Sequence, residues 1–172
     1  MTQTSLIFIA SIVLLSSTVT SAKDAGTSTP CSSPEYRQFD FWLGDWEAFD
    51  VTTGHKDAHV KVERILGGCV LHEEYDGADG HRGQSFSIHD SSRKIWQQTW
   101  VTNRGKVLTI EGNMEGSAMV LTSAECDAHG GKRLVRGEWK PTHEGVREAA
   151  VTSTDGGKTW QPWFDLMFRA KR

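Results

Sequence analysis

Clusters of turn-forming residues divide most of this chain into about ten short segments, and this regular spacing is what most constrains its fold. Seventeen glycines and only four prolines suit frequent tight turns. No window after residue 46 shows the 3.6-residue apolar period of an amphipathic helix. The pattern predicts an all-β domain, either an antiparallel barrel or a sandwich. Its predicted strands cover residues 45–52, 57–66, 69–75, 83–89, 94–102, 106–112, 118–125, 132–140, 146–153 and 159–169.

The first predicted strand follows a stretch of large apolar side chains, FDFWLGDW at residues 39–46. Its Gly44-x-Trp46 step resembles the opening of lipocalin-type barrels, where the glycine permits a tight turn and the tryptophan closes the barrel floor. In an up-and-down meander, an even number of strands brings the last strand beside the first. Arg169 would then lie near Trp46. The resemblance implies that its guanidinium packs on the indole as part of a structural floor.

The residues before this region predict a secreted or periplasmic protein. Residues 6–15 (LIFIASIVLL) form an apolar run that is too short to span a bilayer. Thr20-Ser21-Ala22 offers a small-x-small cleavage site, so residues 1–22 are interpreted as a signal peptide. An uncleaved anchor is the alternative; after cleavage we expect no stable membrane insertion. Residues 23–33 are predicted to be a disordered lead-in, and residues 34–172 the barrel domain, which starts with a short helix from Pro34 to about Gln38.

Three cysteines allow one disulfide and one remaining thiol in an oxidising compartment. Cys69 starts the third predicted strand at the rim shared with the N-terminus, whereas Cys126 ends the seventh strand at the opposite rim. We therefore favour a disulfide between Cys31 and Cys69. No Cys-x-x-Cys is present, and a formal net charge of −3 without a basic cluster disfavours nucleic acid as a partner.

The fifth predicted strand carries a candidate ligand-contacting face. A period of two places Trp96, Gln98 and Trp100 on one side of this strand. An amide between two indoles could bond a ligand in a barrel cavity, or the tryptophans could simply pack the core. On the fourth strand, Ser87 and His89 share a face, which is either a polar lining or exposed.

Charged residues on two further strands suggest a buried pair. Glu73 and Tyr75 lie on the more apolar face of the third strand, where burial would raise the pKa of the Glu73 carboxyl unless it is paired. Arg147 lies on a small apolar face of the ninth strand, and a buried arginine needs an acid or an anionic ligand. We favour a structural Glu73–Arg147 pair over an unpaired Arg147 that binds a carboxylate.

Residues 153–160 (STDGGKTW) match the Asp-box hairpin of sialidases and other β proteins. In this motif Asp155 bonds the turn backbone, the glycines adopt unusual φ angles and Trp160 packs beneath. The motif predicts a hairpin and not glycosidase activity, because sialidases are far longer propellers. The seven histidines show no metal-ligand spacing, and no Gly-x-Ser-x-Gly, P-loop or Rossmann pattern is present, so no metal or cofactor is predicted.

The whole mature chain resembles a bacterial secreted family of no established function. The FDFWLG-W opening, the W-x-Q-x-W strand at residues 96–100 and the DGGKTW hairpin at residues 155–160 carry this resemblance. It implies a lipocalin-like (calycin-type) barrel and supplies no catalytic residue.

These observations predict a secreted antiparallel barrel that holds a small, mostly apolar molecule. One alternative is a cyclase or isomerase with Glu73 or His89 as general acid or base. Another is a structural barrel filled by its own side chains. The predicted pocket lining is Glu73, Tyr75, Ser87, His89, Trp96, Gln98, Trp100 and Arg147.

Overall fold

A computed structural model describes residues 29–126 and 132–172 of the chain. The predicted signal peptide, residues 23–28 of the predicted lead-in and the 127–131 connection lie outside the described residues. Within the described part, no helix is long and apolar enough to cross a membrane.

Ten antiparallel strands form a closed up-and-down barrel, as one of the two predicted architectures requires. Each strand pairs with its neighbours in sequence, and the first pairs with the last, so the sandwich alternative is wrong. Closure leaves no unpaired sheet edge. In chain order the strands are β1 Gly44–Asp50, β2 Lys56–Ile65, β3 Val70–Gly77, β4 Arg82–Asp90, β5 Ile95–Thr102, β6 Val107–Glu115, β7 Ala118–Cys126, β8 Lys132–Thr142, β9 Gly145–Ser153 and β10 Gln161–Ala170.

Side chains alternate between the barrel interior and the outer surface. In β2, for example, Ala58, Val60 and Val62 are buried, whereas Lys61 between the last two is exposed. The same period of two fixes which residue of every strand can reach the interior.

A short 3₁₀ helix, Pro34–Arg37, lies where the sequence predicted a helix, and a second, Asp40–Trp42, follows it. Phe39, between the two helices, and Trp42, in the second helix, are fully buried, and their rings stack at a centroid distance of 5.1 Å. Phe39 also meets Trp96 and Trp139 edge-on, at 5.7 and 5.6 Å. We call these four residues the aromatic plug. It closes the end of the barrel at which β1 begins.

Trp46 joins the first strand to this plug. Its indole Nε1 donates a hydrogen bond of 3.0 Å to the carbonyl oxygen of Trp42. A Cβ on Gly44 would lie only 2.6 Å from Cε2 of the same indole. The Gly-x-Trp step therefore has a steric reason, because only glycine lets the indole fold back this closely.

The predicted packing of Arg169 on Trp46 is wrong. Arg169 pairs in register with Glu47, whereas Trp46 pairs with Ala170. A one-residue offset turns a side chain to the opposite face, so Arg169 lies on the outer surface. There its guanidinium lies over the Phe49 ring at 5.1 Å, and its Nη2 is 2.8 Å from Glu144.

A disulfide joins Cys31 to Cys69, the predicted pair. Arg37 strengthens the same link, because its Nη2 donates hydrogen bonds of 2.7 Å to the carbonyl oxygens of Cys31 and Gly68. A further ion pair joins Arg64 of β2 to Asp40. These contacts fasten the segment that carries Phe39 and Trp42 to the β2–β3 connection.

The hairpin between β9 and β10 has the predicted Asp-box bonding. Asp155 accepts hydrogen bonds from the backbone N–H groups of Lys158 and Thr159, at 3.0 and 2.9 Å from its Oδ1, and from the hydroxyls of Ser153 and Thr159. These donors hold the pKa of the Asp155 carboxyl far below its usual range. Trp160 remains 37% exposed, so it is less fully packed than predicted.

Candidate ligand-binding cavity

A cavity of about 390 Å³ lies inside the barrel, between the aromatic plug and the opposite rim. Trp139 belongs to both the plug and the cavity wall, and His81 and Arg104 reach the cavity from rim connections. Most of the wall is apolar or aromatic. The lining residues are Asp57, Glu73, Tyr75, His81, Gln98, Trp100, Arg104, Leu108, Ile110, Val135, Trp139, Glu148, Ala150, Trp163, Phe164 and Leu166.

Glu73 is the acidic group that the sequence predicted in this wall, and the structure places it there. It points inward from β3 and is 6% exposed. Ser85 on the adjacent strand donates a hydrogen bond of 2.7 Å to Glu73 Oε2. Burial raises the pKa of the Glu73 carboxyl to about 7, although the bond from Ser85 opposes the shift. The carboxyl can therefore exchange a proton near neutral pH.

Glu148 on β9 is a second interior carboxyl, which the sequence analysis did not select. It lies between the buried Val146 and Ala150 on the inward face, and its accessible surface faces the cavity. Burial, and then the negative charge of Glu73, raises its pKa well above the ordinary value. The indole N–H of Trp139 opposes this shift, although the contact does not reach hydrogen-bond geometry.

Arg147 occupies the outer face of β9, so the predicted Glu73–Arg147 pair and its lining role are wrong. Its side chain is 49% exposed and forms a bidentate ion pair with Asp165 of β10, in which Nε lies 2.8 Å from Oδ1. The two faces of β9 are equally apolar, so hydrophobicity could not assign them. Proton chemistry could have done so, because a buried glutamate can become neutral by protonation, whereas an arginine cannot.

Tyr75 and Trp100 form the cavity wall toward the rim. Their rings meet edge-on at 5.8 Å. The Tyr75 hydroxyl donates a hydrogen bond of 2.8 Å to Asp57 Oδ2. Burial raises the pKa of the Tyr75 phenol, and the bond to Asp57 adds to the effect, so the phenol stays protonated.

The structure separates the remaining predicted lining residues by depth. Gln98 lines the cavity and donates a 3.2 Å hydrogen bond to Ser87, which is buried behind it. Trp96 points inward but belongs to the plug, where its Nε1 donates a hydrogen bond of 3.1 Å to Gln38 Oε1. His89 also lies at this end, 5.9 Å from the Trp96 ring. Ser87, His89 and Trp96 are therefore interior residues outside the cavity wall.

The rim of the cavity contains residues that the sequence analysis did not identify. Trp163 of β10 is 47% exposed and lines the opening, with the Arg133 guanidinium 5.1 Å from its ring centroid. Arg104 is 2.6 Å from Asp79 in a rim ion pair. A tryptophan in a strand gives no sequence signal for a rim position, because its exposure depends on strand tilt and on the bulge that separates Pro162 from Phe164.

The described residues contain no group of three or more His, Cys, Asp or Glu side chains that could hold a metal ion. The polar groups of the cavity wall include the carboxyls of Glu73 and Glu148 and the amide of Gln98, which lie among several aromatic rings. Neither a protein-family model nor a curated protein matches the sequence.

Proposed function

We propose that this barrel binds a small, mostly apolar molecule in its cavity. The observation that carries the proposal is the cavity of about 390 Å³ with mainly apolar walls, above a fully packed plug. A cavity of this size lies within the usual range for small-molecule sites. Its volume also argues against a barrel filled entirely by its own side chains.

We also propose that the protein is secreted or periplasmic and that it belongs to the secreted bacterial family that its sequence resembles. The Cys31–Cys69 disulfide supports that location, because disulfides persist mainly in oxidising compartments.

The first experiment is native mass spectrometry of the mature protein, purified gently, before and after denaturation. We expect a defined small molecule that is released only on denaturation. Binding of the neutral fluorescent probe N-phenyl-1-naphthylamine to the emptied protein provides a second readout. An absence of both a released molecule and probe binding would refute the proposal.

A pair of alanine variants tests whether binding occurs in the cavity. Ala150 is buried in the cavity wall, whereas its neighbour Ala149 faces the other side of β9. Ala150→Phe should weaken probe binding at least tenfold by occupying the cavity, and Ala149→Phe should change it little. Equal effects of the two variants would place the binding site elsewhere.

A second candidate function is a cyclase or isomerase, and the state of Glu73 favours it. This carboxyl lacks the predicted arginine partner, and its pKa of about 7 suits a general acid or base. His89 is a poorer candidate because it lies beside the plug, outside the cavity wall. Conversion of the recovered molecule by the wild-type protein, but not by Glu73→Gln, would support this function. Glu74→Gln, on the exposed face of the same strand, is the matched control.

A further inference from the structure

The cavity has an excess of acidic groups over cations. Glu73 and Glu148 face it from β3 and β9, which are separated around the barrel by β2, β1 and β10. Of the described lining residues, only Arg104 carries a permanent positive charge, and its ion pair is with Asp79 at the rim. No described cation forms an ion pair or hydrogen bond with either glutamate.

The two carboxyl groups also retain unused hydrogen-bond acceptor sites. A carboxylate can accept about four hydrogen bonds. Glu73 accepts one hydrogen bond, from Ser85, and Glu148 accepts none from the described residues. Trp139 does not use this capacity, because the contact of its indole N–H with Glu148 falls short of hydrogen-bond geometry. Buried polar groups normally have partners, so the free carboxyl oxygens of Glu73 and Glu148 indicate a ligand that supplies donors.

The walls around these carboxyls offer further attraction to a positive charge. Tyr75, Trp100, Trp139 and Trp163 all line the cavity. The face of an aromatic ring attracts cations, and the attraction increases when the site excludes water. Carboxylates combined with aromatic faces bind an ammonium group and an apolar body at the same time.

We infer that the molecule bound in this cavity is an organic amine, whose single ammonium group lies between Glu73 and Glu148 and whose apolar body contacts the aromatic wall. This inference rests on the proposed function and specifies its ligand class. A neutral ligand bound to protonated carboxyls is the competing chemistry, and the experiment below separates the two.

Proton release gives the inference a distinctive signature. Whichever of Glu73 and Glu148 is still protonated ionises when it meets an ammonium group, and its proton passes to the buffer while the amine remains protonated. Among the described residues, the other titratable or charged groups that line the cavity are Asp57, Tyr75, His81 and Arg104, and Asp79 and Arg133 lie at its rim. Asp57 accepts a hydrogen bond from Tyr75, and Arg104 forms an ion pair with Asp79. The glutamates are thus the groups whose proton binding an interior ammonium would change most.

The test compares three probes of nearly equal shape, namely tryptamine, the neutral tryptophol and the anionic indole-3-acetate. Affinities are measured at pH 7.5 by calorimetry and by displacement of N-phenyl-1-naphthylamine. We expect tryptamine to bind at least tenfold more tightly than tryptophol, and indole-3-acetate to bind most weakly. Titrations in phosphate and in Tris should show proton release with tryptamine alone.

Three variants assign the effect. Glu73→Gln and Glu148→Gln should each reduce the preference for tryptamine over tryptophol at least fivefold, and Glu73→Gln should reduce proton release. Glu74→Gln should leave both unchanged, because this residue is exposed on the outer face of β3. Both interior variants should fold, because each removes a carboxyl group whose ionised form is destabilised by burial.

The outcomes distinguish this inference from the proposed function. Tryptophol binding as tightly as tryptamine, or failure of tryptamine to displace a bound naphthylamine probe, would overturn the amine inference and leave a cavity that binds apolar molecules. Failure of the naphthylamine probe itself to bind, with no molecule released on denaturation, would overturn the proposed function.

Discussion

Replacing Glu73 with glutamine should stabilise the protein at alkaline pH, and the sign follows from the raised pKa of this carboxyl. In the folded protein its pKa is about 7, against an ordinary value of 4.5. As pH rises above 4.5, the unfolded chain loses this proton while the folded chain retains it. The contribution of Glu73 to stability must therefore fall from about pH 4.5 to about pH 7 and remain lower above that range.

The size of the effect follows from the same two values. One pKa unit corresponds to about 1.4 kcal/mol, so ionising Glu73 costs the folded protein about 3 kcal/mol at pH 8. Most of this cost, about 2 to 3 kcal/mol, arises between pH 5 and pH 8. Glutamine keeps the shape of the side chain and an acceptor for Ser85, but it carries no charge. Glu73→Gln should remove this pH-dependent cost.

The assay is urea unfolding of the wild type, Glu73→Gln and Glu74→Gln at pH 5 and pH 8, with the disulfide intact. The difference between each variant and the wild type cancels the titration of the histidines. With an m-value of about 2 kcal/mol per molar urea, the Glu73→Gln midpoint should rise by about 1 M relative to wild type between the two pH values. An equal pH dependence in all three proteins would refute the buried-carboxyl argument.

Two further predictions concern the closed end of the barrel. Gly44→Ala should lower the free energy of unfolding by about 1 to 3 kcal/mol and change the emission of Trp46, because the new methyl would overlap the indole; unchanged stability and emission in urea titrations followed by fluorescence would contradict this close contact. Replacing Cys31 and Cys69 with serine should cost about 3 to 4 kcal/mol, because the disulfide closes a loop with a sequence separation of 38 residues. Reduction of the wild type should reproduce that loss, and a double variant as stable as the oxidised wild type would contradict it.

The architecture could be predicted from the sequence because its signals are local. Turn-forming residues marked the strand ends, and an even strand count placed the last strand beside the first. The same reasoning placed Cys31 and Cys69 at one rim, where the disulfide joins them.

The sites were harder to predict, because strand alternation separates two faces without saying which one is interior. Arg147 and Glu148 show this on β9, where the chosen face was wrong. The predicted contact of Arg169 with Trp46 was wrong for a related reason. The offset of these two residues by one register position appears only when β1 and β10 are aligned. Trp96 is on the predicted face, but its depth depends on Phe39 from a distant part of the chain.

The aromatic plug has a consequence for how the chain folds. Phe39 and Trp42 come early in the chain, yet they pack against Trp96 and Trp139, from β5 and β8. The plug therefore cannot assemble until most of the barrel exists, and the β1–β10 pairing also joins distant parts of the chain. Such high contact order slows folding and leaves these large apolar side chains exposed to association with other chains. The disulfide shortens the conformational search for the native plug, because it holds the plug segment beside the β2–β3 connection while the later strands add to the barrel.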